Sequence, residues 1–360
     1  MHSQQPQWVA DPDRLAERLS TRPARVGLDT EFIRERTYWP QLALVQVALD
    51  DGILLVDPLA PGIADVLRSL LTDASVLKVM HSAGEDLIAF GRACGAVPAP
   101  LFDTQVANAL SGGAAGIGYQ RLVQELTGVE LAKGETRSDW LRRPLSAAQL
   151  EYAADDVRHL FALHDTLAQR LDALGRREWF EEDCARLLAV AADEPERWPH
   201  LAVRASLYLD DPGRYRLLRL LRWRDCWARE RDRPRSWVLD NELAALIARE
   251  PPADQAGLQR ILDGHPKASR KLAEPMWQAL DTPLPDEEQA PEPVEEVDRR
   301  QLRALQEAVS ARSAELGLPD GVLASRRWLE RLLQQGEWPS ALSGWRRAQL
   351  EPVLGPLLSE

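Results

Sequence analysis

The stretch Arg25-Val26-Gly27-Leu28-Asp29-Thr30-Glu31-Phe32 alternates in the way a β-strand does. Residues two apart on a strand point to one face, so Asp29 and Glu31 project together from an otherwise apolar element. Working outward, Gln41 to Leu49 and Gly52 to Asp57 flank Asp50-Asp51-Gly52, a hairpin signal. Three consecutive antiparallel strands follow from this. Helical patterns around Ala64 to Leu71 and Glu85 to Ala93 then enclose a short strand at Val76 to Met80. The first half is therefore α/β with a mixed sheet. After about residue 200 strand signals vanish, and Leu217, Leu218, Leu221, Trp223 and Trp227 recur at helical spacing, so the C-terminal half is expected to be all-α.

Two further acids stand in suggestive settings. Leu150-Glu151-Tyr152-Ala153-Ala154-Asp155-Asp156-Val157, followed by Leu160, Phe161 and Leu163, reads as a helix. Its spacing of four puts the Tyr152 phenol and the Asp156 carboxylate on one face. Asp86, in His81-Ser82-Ala83-Gly84-Glu85-Asp86-Leu87, falls in the first turn of a helix, where the macrodipole by itself favours an acid. Singly, each acid reads equally well as solvated or as a turn former. Jointly they suit a centre of two divalent ions acting on a phosphodiester, because hard oxygen ligands favour Mg²⁺ or Mn²⁺ and there is no His/Cys cluster to favour zinc.

Composition bounds the alternatives. A chain of 360 residues with 45% apolar content has room for two or three domains. The start, Met1 to Pro6, lacks a basic region followed by an apolar run, and no stretch of about 18 apolar residues occurs, so a cytoplasmic protein without membrane attachment is expected, and a monomer. Cys94, Cys184 and Cys226 lack metal or redox spacing and are expected to be reduced, buried thiols. The net charge of −12 runs against phosphate binding, but it is unevenly distributed. Arg214 to Arg235 holds nine arginines against three acids, a local +6, while Thr282 to Asp298 holds seven acids, four prolines and no basic residue. The acidic stretch reads as an extended, self-repelling linker.

The order of the acids resembles the DEDD superfamily of 3′-to-5′ exonucleases. Asp29-Thr30-Glu31 matches its first motif, Asp86 its second, and Tyr152 with Asp156 the Tyr-x-x-x-Asp of its tyrosine branch; Asp155 is the rival for the last acid but lacks the spacing. The likeness narrows to the ribonuclease D family through Thr37-Tyr38-Trp39-Pro40-Gln41-Leu42, Lys78-Val79-Met80-His81, Phe102-Asp103-Thr104-Gln105 and Ser138-Asp139-Trp140-Leu141-Arg142-Arg143-Pro144-Leu145. It covers roughly residues 10 to 190. The resemblance implies a ribonuclease H-like mixed-sheet exonuclease domain over residues 1–200, ending in a connecting helix. It implies that Asp29 bridges two divalent ions, that Glu31 and Asp156 hold the ion activating water, that Asp86 serves the other, and that Tyr152 orients the water. The expected substrate is RNA with a single-stranded 3′ end, tRNA precursors in particular, released as nucleoside 5′-monophosphates.

Residues 207–282, with Leu217 to Arg224 and Pro234 to Leu243, resemble an HRDC domain, the small helical module of RecQ helicases and ribonuclease D. Residues 283–298 would be the acidic linker, and 299–360 a second HRDC-like helical domain inferred from domain order. Within this frame Tyr38 and Trp39 are candidates for stacking on a terminal base, against ordinary packing. Arg219, Arg222 and Arg224 are candidates for the RNA backbone, against an amphipathic solvated face. His81 reads as a structural hydrogen-bonding partner beside the site, and Gly112 to Gly118 as a loop rather than a phosphate cradle. A DNA-directed DEDD exonuclease and a non-catalytic nucleic-acid scaffold are the alternatives.

Overall fold

The computed structural model describes residues 5–132, 134, 138–191, 196–266, 268–292 and 297–358. Its contacts divide the chain into two compact units, the first holding residues 5–33, 40–191 and 297–358 as far as described, the second 34–39 and 196–292.

In the first unit β1 (Gln7–Val9), α1 (Pro12–Leu19), β2 (Arg25–Ile33), β3 (Gln41–Leu49), β4 (Gly52–Val56), α2 (Ile63–Thr72), β5 (Leu77–Met80), α3 (Gly84–Cys94) and β6 (Leu101–Asp103) precede a helical run. That run is α4 (Thr104–Leu110), α5 (Tyr119–Thr127), α6 (Ala147–Arg158), α7 (Leu160–Ala173) and α8 (Arg177–Ala191). The sheet order is β1-β4-β3-β2-β5-β6. β2 pairs antiparallel with β3 and parallel with β5, so the strand carrying the first two acids is interior to a mixed sheet. The register sets Asp29 opposite Gln46 and Glu31 opposite Leu44, and a bulge falls between Glu31 and Phe32. A bulge re-aims the chain at the end of a ladder, here directly after the second acid.

Packing explains the layers. Leu28, Val47, Leu54 and Val56 meet Leu67, Leu87 and Phe90 of α2 and α3 in one core. Ala48, Val79 and Phe102 meet Leu160, Leu163, Leu167 and Leu171 of α7 in a second. Each such fully buried aliphatic side chain stabilises by roughly 1.5–3 kcal/mol relative to exposure. β1 and β6, three residues each, escape a periodicity search because their strand state comes from pairing with β4 and β5.

The second unit is helical: α9 (Asp211–Glu230), α10 (Arg235–Val238), α11 (Asn241–Arg249), α12 (Gln255–Gly264) and α13 (Ala273–Asp281). Leu217, Leu220 and Leu221 of α9 pack with Leu243, Ile247, Leu258, Leu262, Met276 and Leu280. The acidic stretch that follows differs from the extended, self-repelling linker expected. Asp286 pairs with Arg222 at 2.7 Å and Arg197 at 3.1 Å, Glu287 is 6% exposed and pairs with Arg219, and Glu287–Gln289 forms a 3₁₀ turn. The Arg222 hydrogen bond leads in holding the Asp286 carboxyl down at about 2. The acids do not repel one another into extension because their partners wait 64 and 68 residues upstream, a separation no local pattern reveals. Residues 293–296 lie outside the described residues.

α14 (Arg299–Leu316), α15 (Arg326–Gln335) and α16 (Trp345–Leu358) return to the first unit. α14 packs on α15 and α16, and their Leu302, Leu305, Leu332, Leu350 and Leu354 are continuous with the apolar cluster that holds Leu163 and Leu167 of α7. Cys94 and Cys184 are buried as expected, whereas Cys226 is exposed on α9. Among the described residues no helix is long and apolar enough to cross a membrane.

Candidate active site

Three elements of the first unit deliver the acids. β2 supplies Asp29 and Glu31, the first turn of α3 supplies Asp86, and α6 supplies Tyr152 and Asp156. α6 begins at a capping box in which Ser146 and Gln149 satisfy each other's backbone, and it packs on β2, β3 and β4. The Tyr152 phenol and the Asp156 carboxylate share one face of α6, as the spacing of four predicts, and the phenol lies near enough to oppose the rise in the acid's pKa. Asp155 turns away, paired with Arg158 at 2.8 Å. Asp86 is 7% exposed and accepts a hydrogen bond from the Thr30 hydroxyl, which ties the second acid to the strand of the first two.

α3 starts where it does because of Asp103. Its carboxylate accepts from the backbone N–H of Ser82 (3.2 Å) and Ala83 (2.8 Å) before α3, and from Gln105 (2.8 Å) and Val106 (3.2 Å) at the start of α4. One buried acid thus caps α4 and fixes the lead-in to α3, where Ser82 stands at φ 57°, in the left-handed region. Tyr119 acts similarly below Asp156. Its hydroxyl donates to the Asp155 carbonyl and accepts from the His159 N–H, both at 3.1 Å, closing the break between α6 and α7.

Electrostatically the centre is a concentrated negative charge. Burial, then repulsion from Asp86, Asp156 and Glu31, pushes Asp29 well above the carboxylate range. Burial, then Asp156 and Asp86, pushes Glu31 up to about 8. Asp86 and Asp156 are each raised to about 7, chiefly by burial, with the hydrogen bonds from Thr30 and Tyr152 opposing. Burial and the neighbouring acids Asp156, Glu31 and Asp29 raise the Tyr152 phenol, which stays protonated at neutral pH. Gln46, opposite Asp29, is fully buried, and neither of its amide atoms meets a protein partner.

Four mutually repelling oxygen acids with a spare buried amide beside them fit divalent cations, and the donor set is hard throughout. The acids share one field without yet closing on a point: among the described residues no three Asp, Glu, His or Cys side chains are drawn to ligand distance of one another.

A pH dependence follows. Ordinary carboxyls titrate near 4, so the folded protein retains protons that the unfolded chain has released. The stability these groups contribute is present at low pH and lost as pH rises through about 7 to 8. In chelator, the melting temperature is expected to rise when pH falls from 8.5 to 6, and Mg²⁺ is expected to flatten that rise. A melting temperature in chelator that does not change over this range contradicts the arrangement.

The other sequence candidates are placed as follows. His81 is structural: its Nε2–H donates to the Ile117 carbonyl at 3.0 Å, Nδ1 pairs with Thr104 at 2.9 Å, and burial lowers its pKa. Within the second unit Tyr38 is 6% exposed, its hydroxyl donates to Asp225, and Arg229 and Arg235 lie 5.2 and 4.9 Å from its ring centre. Its ring is covered by guanidinium groups rather than open to a base. Trp39 donates from Nε1 to the Arg229 carbonyl at 3.3 Å. Arg219 and Arg222 are spent on Glu287 and Asp286, which offsets two of the excess charges, and Arg224 is held by the neutral Leu239 carbonyl and Asn241. Sequence reasoning did not single out Thr30, Gln46, Asp103 or Tyr119 as site residues; only Asp103, within Phe102-Asp103-Thr104-Gln105, carried a signal.

A family model described as a 3′-5′ exonuclease matches residues 6–172, and one described as an HRDC domain matches residues 215–280. Fold and site together define a 3′-to-5′ exonuclease of the DEDD type joined to an HRDC domain. The chain is 59% identical over 357 residues to ribonuclease D of Xanthomonas oryzae pv. oryzae, covering 98% of each, and 38% identical over 364 residues to that of Pseudomonas paraeruginosa, covering 97% of this chain and 96% of the relative. The crystal structure of Escherichia coli RNase D, described as an exoribonuclease involved in structured RNA processing, aligns over 99% of both chains with a TM-score of 0.87 at 29% identity. The chain belongs to the ribonuclease D family and is a 3′-to-5′ exoribonuclease.

Proposed function

We propose that this enzyme shortens RNA from a single-stranded 3′ end one nucleotide at a time, with tRNA precursors as substrate, releasing nucleoside 5′-monophosphates in the cytoplasm as a monomer. The observation that carries the reading is the convergence of Asp29, Glu31, Asp86 and Asp156 in one field, with the Tyr152 phenol beside Asp156 on the same face of α6. Asp29, Glu31, Asp86 and Asp156 would hold two Mg²⁺ or Mn²⁺ ions. Bound there, such ions supply charge neutralisation at the scissile phosphate and a lowered pKa for the attacking water.

The chain's own groups do the rest. Asp29, Glu31 and Asp156 keep partial solvent access, which lets a strand end reach them, while Asp86 sits deeper. Tyr152 remains a neutral phenol and serves by orienting water rather than by taking its proton. A single-stranded end suits the site because the terminal bond has to leave its stack to lie against the acids. In the helical unit the internal pairing of Arg219, Arg222 and Arg224 supports a structural role for them. RNA contact is better supported at Trp237, 51% exposed on α10, and at the exposed Arg233 just before it.

Incubation of a 3′-extended tRNA with the enzyme and Mg²⁺ is expected to give a ladder that shortens by single nucleotides and stops near the mature end, with matched DNA cut at least about tenfold more slowly, the size of one lost polar contact to the 2′-hydroxyl. Equal rates on RNA and DNA would favour the DNA-directed reading.

A further inference from the structure

Tyr152 is bounded by a segment that carries none of the four acids. Trp140, 3% exposed, lies 6.0 Å from the phenol ring, centre to centre, at 36°. The same segment passes so close at Gly134 that a Cβ there would stand 1.7 Å from Tyr152 Cδ2. Trp140, Leu145 and Ala153 share a small core with Ala43, Leu44 and Leu55 of β3 and β4, and Tyr152 packs on it.

Beyond this packing, Arg143 fastens the segment to the sheet by hydrogen bonds. Arg143 donates from Nε to Asp57 Oδ2 (2.9 Å) and from Nη2 to Asp57 Oδ1 (2.7 Å), a bidentate fork. Nη2 also reaches the Ala43 carbonyl (2.6 Å), and Nη1 the carbonyls of Trp140 (2.7 Å) and Arg142 (3.1 Å). All five guanidinium N–H groups are used, with the Trp8 ring 5.2 Å from Cζ. Asp57 is 8% exposed and the Arg143 side chain 25%, so the fork is half-shielded from water. Ala43 lies on β3 and Asp57 directly follows β4, the two strands on which α6 itself packs. The helix that presents Tyr152 and the segment that confines its ring are thus referenced to the same strands.

We propose that Arg143 is a positioning residue for the reaction: by anchoring Trp140 to β3 and β4 it sets the ring of Tyr152, and so the direction in which the phenol meets Asp156 and the attacking water. This rests on the reading of Tyr152 given above. Lysine at this position keeps a charge beside Asp57 but offers a point donor in place of the planar fork, so it cannot hold Asp57, Ala43 and Trp140 together. A displacement of about 1 Å at a reacting group costs up to about a hundredfold in rate.

The test is a cycle in the full-length enzyme with Arg143→Lys, Tyr152→Phe and the double variant, reading kcat and KM on a 3′-extended RNA. Arg143→Lys is expected to lower kcat about tenfold while leaving KM within about twofold, since the group orients the reacting phenol without touching the strand. The double variant is expected to be no more than about twofold slower than Tyr152→Phe alone, because a ring without its hydroxyl gains nothing from being aimed. If the two losses multiply, or if Arg143→Lys keeps full kcat, the proposal is overturned while the Tyr152 reading stands. If Tyr152→Phe itself keeps full kcat, both fall together. Should Arg143→Lys not fold, Trp140→Phe replaces it in the same cycle with the same outcomes.

Discussion

Asp29→Asn is expected to lower turnover at least about a thousandfold and, in chelator at pH 8, to raise the melting temperature. The first effect follows from removing an acid proposed to hold the metal ions, where several kcal/mol of transition-state stabilisation are at stake and each 1.4 kcal/mol is tenfold. The second follows from the electrostatics of the folded chain alone. Asp29 is pushed far above its ordinary range first by burial and then by Asp86, Asp156 and Glu31, so its charge opposes folding whenever no cation is present. Asparagine keeps the shape and removes the charge. The opposite signs separate a functional acid from a structural one, whose loss lowers activity and stability together. A melting scan and a single-turnover assay on the same preparation decide. An Asp29→Asn enzyme that melts lower than the parent in chelator, or retains activity within about tenfold, is incompatible with the site described.

Asp183→Ala is expected to cost about 3–5 kcal/mol, because it strands a buried guanidinium. Asp183 and Arg346 are 9% and 7% exposed and form a bidentate pair, Nη2 to Oδ2 at 2.8 Å, and the Trp345 indole N–H donates to the same carboxylate at 3.0 Å. Nearby, Glu182 accepts from the Trp345 backbone N–H at 2.9 Å, and the Trp179 and Trp345 rings stack 4.5 Å apart at 7°. This cluster joins α8 to the start of α16. At about 2–4 °C per kcal/mol for a unit of this size, the melting temperature is expected to fall by roughly 10 °C. Since Leu302, Leu305, Leu350 and Leu354 share a core with α7, the loss is expected in the main transition of the first unit and not as a separate early melting of the C-terminal helices. The double variant Asp183→Leu with Arg346→Met is expected to recover most of it, as replacing both members of a buried pair by apolar groups often does. A single-variant loss below about 1 kcal/mol, or an isolated low-temperature transition, contradicts this account.

Much of the site was legible because its spacing is short. Asp29 and Glu31 share a face through the two-residue repeat of a strand, and Tyr152 reaches Asp156 through the four-residue return of a helix. Those relations depend on backbone geometry alone and survive any arrangement of neighbours. What brings Asp86 to the others does not. It depends on the Thr30 hydroxyl and on the Asp103 carboxylate holding the lead-in to α3, contacts between residues 56 and 20 apart. The motif order identified Asp86 through resemblance where periodicity could not.

The amino-acid sequence by itself determined the interior strands β2 to β4, the helical second half and the family, and it nominated the five candidate site residues, because apolar periodicity and ordered motifs are local properties of the chain. Only the tertiary structure decided that β1 and β6 are strands, that Asp286 and Glu287 fold back onto Arg222 and Arg219, that Tyr38 is buried under Arg229 and Arg235, and that the apolar faces of α14 to α16 run on into the cluster of α7. The reason is the same in each case. A short strand, a charge run or an amphipathic face takes its state from its partner, and here the partner lies tens to hundreds of residues away.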